Sequence, residues 1–150
     1  MITTETLSEF GLFKGLPESI LKEIAAMSKE ASFKKGELIF REGEKAENLH
    51  FLIEGSVALR VKLTSRPESV TVSFVSSPYQ SFGWSGIVAP NHYTSSAECD
   101  EDSVLMITPA APFMKLLEAH TEAGFKVIQR VAEIIADRLR NSHQALIKTI

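Results

Sequence analysis

The 150-residue chain is 44 % hydrophobic and 23 % charged, enough apolar material for one sizeable core and too little length for two ordinary domains. Its formal net charge of −3 comes from interspersed acidic and basic side chains, without the clustered Lys and Arg of a phosphate-backbone footprint, so no direct DNA binding is expected. The amino-terminal MITTETLSEFGLF has no basic segment leading into an apolar one, and no run approaches the roughly 18 apolar residues of a membrane span; the expectation is one cytoplasmic domain over residues 1–150.

The first element is carried by GLPESILKEIAAM, where Ile20, Leu21, Ile24, Ala25 and Met27 recur near helical spacing behind Pro17 and predict a helix over 17–27. The period then drops to two: Leu38 and Phe40; Leu49, Phe51 and Ile53; Val57, Leu59, Val61 and Leu63; Val70, Val72 and Phe74. Alternation of this kind predicts half-buried strands, separated by turn signals at Gly36, Gly43, Gly55 and Pro67. Many short strands so spaced predict a sandwich or small barrel over about residues 31–108, with SVLMITP as its last strand.

Thr108 is the expected cap of a short helix with Pro112 in its first turn, and a second helix follows over about 121–148. On it Phe125, Ile128, Ala132, Ile135, Leu139, Ser142, Leu146 and Thr149 form a heptad seam. The seam fits either a helix folded back along its own barrel or a parallel pair across a homodimer axis, and its length and polar Ser142 favour the dimer.

Catalysis finds little support. His50, His92, His120 and His143 are isolated in sequence, which disfavours a metal-dependent jelly-roll enzyme; His50 with His92 is the pair to inspect. GWSG is one residue short of a nucleophile elbow, and the single cysteine, Cys99, reads as a buried strand residue. No catalytic residue, metal or cofactor is expected.

The segments LFKGLPESILKEIA, FKKGELIFREGEKAENLHFLIEGSVAL, SFGWSGIVAPNHYTSSAEC and the two carboxy-terminal helices, in that order, resemble the cyclic-nucleotide-binding domain family. The resemblance implies a mainly β fold with flanking α: an eight-stranded jelly-roll-like β-barrel with N-terminal helices, a long C-terminal helix and a phosphate-cradling cassette. In the family, a glutamate directly after a Phe-Gly pair binds the ribose hydroxyl and an arginine further on pairs with the phosphate. Matching Phe82 and Gly83 to that pair puts Trp84 at the glutamate position and Tyr93 at the arginine position. Losing one partner of a buried charged pair costs about 2–5 kcal/mol, so the usual cAMP or cGMP mode is not expected.

The candidate pocket is therefore Phe82, Gly83, Trp84, Ser85, Gly86, Tyr93, Thr94 and Ser95. Three readings follow: the aromatics line a site for a different, less anionic metabolite; they fill it, leaving an interaction or dimerisation domain; or another arginine, Arg60, Arg66 or Arg138, reaches in and restores cyclic nucleotide binding. The resemblance also puts Ser142 and His143 near a polar pair that contacts the base in catabolite-activator-type relatives; they equally serve to break up an apolar seam. Many relatives continue into a DNA-reading helix-turn-helix, whereas this sequence stops at Ile150, and a stand-alone sensor or adaptor is expected. The expected function is a non-enzymatic regulatory module sensing a small molecule, as a homodimer.

Overall fold

The computed structural model describes residues 2–150. Helix α1 (Thr4–Ser8) starts where the Thr3 hydroxyl accepts the Thr6 N–H at 3.1 Å, and a 3-10 turn at Gly11–Phe13 follows. Neither is legible in the sequence, because elements this short display no apolar period; yet Leu7, Phe10 and Phe13 are fully buried. Helix α2 (Glu18–Met27) sets Pro17 at its cap and buries Ile20, Leu21 and Ile24.

Eight strands follow: β1 (Lys29–Phe33), β2 (Leu38–Phe40), β3 (Asn48–Glu54), β4 (Val57–Lys62), β5 (Ser69–Val75), β6 (Ser81–Phe82), β7 (Ser96–Cys99) and β8 (Ser103–Pro109). They pair into two antiparallel sheets, ordered β1-β8-β3-β6 and β2-β7-β4-β5. This corrects the expectation of a closed barrel: among the described residues no strand ladder joins the sheets. The register shifts at Leu38/Phe40, Leu52/Glu54 and Leu59/Arg60, and such irregularities bend a strand and interrupt its ladder.

One apolar core fills the space between the sheets, with Leu52, Leu105 and Ile107 from the first meeting Val57, Leu59, Ala97 and Cys99 from the second. A second joins the first sheet to the helices through Phe10, Phe13, Ile24, Phe51, Met106, Phe113 and Val127. Strand β3 is covered on both sides, since alternate side chains point to opposite faces: Leu49 and Phe51 reach the helices, Leu52 the inter-sheet core. In β5 the alternation is as expected but the covered face is not. Val70, Val72 and Phe74 are 43, 54 and 53 % exposed, because β5 is an edge strand whose apolar side carries no core layer.

Helix α3 (Ala110–Ala119) begins without a side-chain cap; Pro109 holds the cap position. Thr108 instead lies within β8 and shares a 2.7 Å hydrogen bond with the Ser28 hydroxyl, which corrects its expected capping role. Helix α4 (Thr121–Lys148) packs its beginning through Ala123, Gly124, Val127 and Val131. Gly124 allows the close passage, as a Cβ there would stand 2.5 Å from the Leu117 carbonyl oxygen. The heptad seam is a different face: Phe125, Leu139 and Leu146 are 68, 56 and 62 % exposed.

Candidate functional site

The 81–99 stretch leaves β6 through Gly83, which adopts φ +78°, a left-handed conformation that glycine reaches without a Cβ penalty. Space also demands glycine here, because a Cβ would lie 2.8 Å from His50 Nδ1. His50 itself is buried between Phe40 and Phe82, with ring centroids 5.0 and 5.3 Å away, and its Nδ1 has no partner. Burial holds its pKa at about 3, so the imidazole is neutral and packs as an aromatic ring.

A 3-10 turn at Trp84–Gly86 follows, and Asn91 ties it down by donating to the Ser85 and Gly86 carbonyls at 3.0 and 3.3 Å. Trp84 is 6 % exposed and meets Phe51 edge-on at 6.2 Å; its indole N–H has no partner. Tyr93 is equally buried and stacks on Phe40 at 3.8 Å and 12°. Its hydroxyl donates to the Asn48 carbonyl at 3.1 Å, so that proton is already committed inside the protein. Burial raises the Tyr93 pKa, opposed by the Asn48 hydrogen bond.

Beside these rings lies a cavity of about 420 Å³. Gly83, Trp84, Ser85, Tyr93, Thr94 and Ser95 line one side of it, while Ile135, Arg138, Asn141, Ser142 and Ala145 of α4 line another. Leu59, Val61 and Val72 complete an apolar wall from β4 and β5. Of the expected residues, Phe82 points into the inter-sheet core. Gly86 packs against α3, where a Cβ would be 2.9 Å from that of Ala110. His143 is exposed on α4 and does not line the cavity.

The three arginines separate clearly. Arg60 is spent on β5, donating to the Ser69 hydroxyl and carbonyl at 3.0 Å each and to Thr71 at 2.7 Å. Arg66 is exposed and outside the cavity lining. Arg138 lines the cavity, and one of its Nη atoms donates to the Ser81 carbonyl. The helix face 135–138–142–145 that presents it has spacings of three and four, a signal available in the sequence once the cassette is known to face α4. No group of three or more metal-ligating side chains occurs among the described residues, and exposed His92 hydrogen-bonds the Pro90 carbonyl, apart from His50 in the core.

The Cyclic nucleotide-binding domain family matches residues 30–120 of this sequence, more than half of the chain. The chain belongs to this family. A solved structure from Geobacter metallireducens GS-15, named for cyclic nucleotide binding, is 34 % identical, with a TM-score of 0.80 and coverage of 93 % of this chain and 99 % of that one. The cyclic nucleotide-binding fold is shared at 18 % identity and TM-score 0.77 with the regulatory subunit of a cAMP-independent protein kinase A from Trypanosoma cruzi bound to guanosine, over 97 % of this chain and 49 % of that one. A CRP-like cAMP-activated global transcriptional regulator of Mycobacterium tuberculosis is 23 % identical over 142 residues, 95 % of this chain. The chain spans 61 % of that regulator's length. No helix among the described residues is long and apolar enough to cross a membrane.

Proposed function

We propose that this cyclic nucleotide-binding domain is a non-enzymatic regulatory module that senses a small organic ligand in the cavity between the 82–97 stretch and α4. The carrying observation is that Trp84 and Tyr93 stand at the wall of a cavity of about 420 Å³ that remains open beside them. Such a volume is in the range of small-molecule sites, and the combination of apolar walls with a few hydroxyls suits a ligand with a flat body. Trp84 cannot accept a ribose hydroxyl proton, and the Tyr93 hydroxyl already serves Asn48, so the usual cyclic nucleotide contacts have no counterpart at these two positions. The guanosine-bound relative is one instance of this fold holding a nucleoside that lacks a phosphate.

A ligand there touches both the cassette and α4, and its differential contact with two α4 positions is the means by which occupancy becomes a signal. The exposed heptad residues Phe125, Leu139 and Leu146 support pairing with a second copy along α4. If pairing alone were the function, the cavity would be incidental. Calorimetric titration with guanosine, cyclic AMP and cyclic GMP, combined with hydrogen exchange of α4, tests the reading. Binding with slowed exchange over residues 131–145 is the expected result; binding without any change in α4 refutes the coupling, and no binding by any of the three favours the pairing role.

A further inference from the structure

Arg138 is a partly buried cation without a counter-ion. Among the described residues no carboxylate pairs with it: Asp137, one position away, pairs with Arg140, and only the Ser81 carbonyl receives one of its Nη donors. Removal from water without a compensating charge is unfavourable for a guanidinium, and burial lowers its pKa from the ordinary arginine value. Its five N–H donors form a rigid fork. The Ser81 carbonyl takes up one branch of that fork, leaving the remaining donors free of internal partners.

Two cavities meet at this side chain. The second, near α1 and Tyr79, is lined by the carboxylates Glu9, Glu133 and Asp137 as well as by Arg130 and Arg138, so its acidic groups outnumber its cations and it disfavours an anion. The first, beside Trp84, has no carboxylate in its lining and no other cation. Resting on the ligand-sensing reading above, we propose that Arg138, supplied by α4 rather than by the cassette, is the anion-recognition residue of this cavity, and that the ligand is an organic monoanion with a flat apolar body. One guanidinium balances one negative charge; a dianion would leave a second charge uncompensated, and a cation would oppose Arg138 directly. Leu59, Val61, Val72, Val88 and Ile135 supply the apolar surface for the ligand body. Both a cyclic phosphodiester and an aromatic carboxylate or sulfonate present this chemistry.

The test uses matched anion and neutral probes with the full chain. Fluorescence titration compares 8-anilinonaphthalene-1-sulfonate with uncharged N-phenyl-1-naphthylamine, and calorimetry compares cyclic GMP with guanosine. The expected result is that at least one anion binds about tenfold or more tightly than its neutral counterpart, a factor typical of a charge-assisted hydrogen-bonded pair. Preference in the first pair alone identifies an aromatic acid site, and preference in the second a phosphodiester site. Arg138→Gln abolishes the preference, Arg138→Lys retains part of it, and Arg140→Gln, two positions along α4 and outside the cavity lining, retains all of it. The wild-type comparison stands alone should Arg138→Gln fail to fold, a point that its thermal midpoint settles. Equal affinity for anion and neutral probe overturns the role of Arg138 while leaving the sensing reading intact, as does a preference that survives Arg138→Gln. Absence of binding by all four probes overturns both.

Discussion

Replacing Gly83 by alanine tests the geometry on which the site rests, because two separable penalties meet there. Gly83 and Gly15 have almost the same φ, +78° and +79°, but a Cβ at Gly15 meets nothing within 4 Å, whereas at Gly83 it meets His50 Nδ1 at 2.8 Å. Left-handed backbone disfavours alanine by about 1–2 kcal/mol, partly offset by about 0.4–1 kcal/mol from the reduced freedom of the unfolded chain. Gly15→Ala is therefore expected to lose about 1 kcal/mol. At Gly83 the His50 ring has Phe40 and Phe82 packed on it, so it yields only by displacing them, and overpacking adds about 1–3 kcal/mol. The total of about 2–4 kcal/mol corresponds to a fall in Tm of about 4–16 °C for a chain of this size. Urea denaturation of both variants measures the difference, and a Gly83→Ala/His50→Ala pair checks its origin through a coupling of about 0.5–3 kcal/mol. Equal losses for Gly15→Ala and Gly83→Ala would refute the reasoning.

Three further outcomes are expected. The unfolded His50 takes its proton near pH 6.5 and the folded ring only at about 3, so its contribution is whole above pH 6.5. It declines as the pH falls from 6.5 toward 3, at up to about 1.4 kcal/mol per pH unit. Urea midpoints across that range should fall more steeply for the wild type than for His50→Phe, and parallel slopes would count against a neutral buried ring. Tyr93→Phe keeps the stack on Phe40 but strands the Asn48 carbonyl, and should lose about 0.5–1.5 kcal/mol in the same denaturation assay; no loss would mean the hydroxyl makes no net bond. Leu139→Asp, at a side chain 56 % exposed, should convert a dimer to a monomer in sedimentation without altering the circular dichroism, whereas an unchanged sedimentation coefficient argues against pairing along this seam.

Contiguous features were the legible ones. The turn glycines Gly36, Gly43, Gly55 and Gly83 all have positive φ, and the alternating runs from Leu49 to Phe74 lie in strands β3 to β5 or beside them. What alternation cannot supply is which face is covered: a period of two groups Val70, Val72 and Phe74 together but says nothing of the layer above them. The same limit explains the barrel, since closure depends on pairing between distant strands that no local pattern records. At the site, the cassette was readable as a motif, and its missing charges marked Trp84 and Tyr93. Gly86 enters the candidate pocket with its cassette neighbours and His143 through the resemblance to a polar pair on the long helix, whereas Gly86 packs against Ala110 and His143 is exposed outside the cavity lining. Arg138 emerged from among three arginines only when tertiary structure brought α4 alongside the 81–99 stretch, and Asn141 carried no distinguishing signal.

Helix α4 runs for 28 residues but has no buried residue beyond Val131. The stretch from Val131 to Lys148 is thus a lever about 26 Å long with its fulcrum in the core, and Arg138 sits about 10 Å along it. A tilt of about 10° carries the Lys148 end through about 4–5 Å, roughly two and a half times the displacement at the Arg138 turn. Movement of just under about 2 Å at the cavity wall is therefore delivered, magnified, at the far tip of the helix.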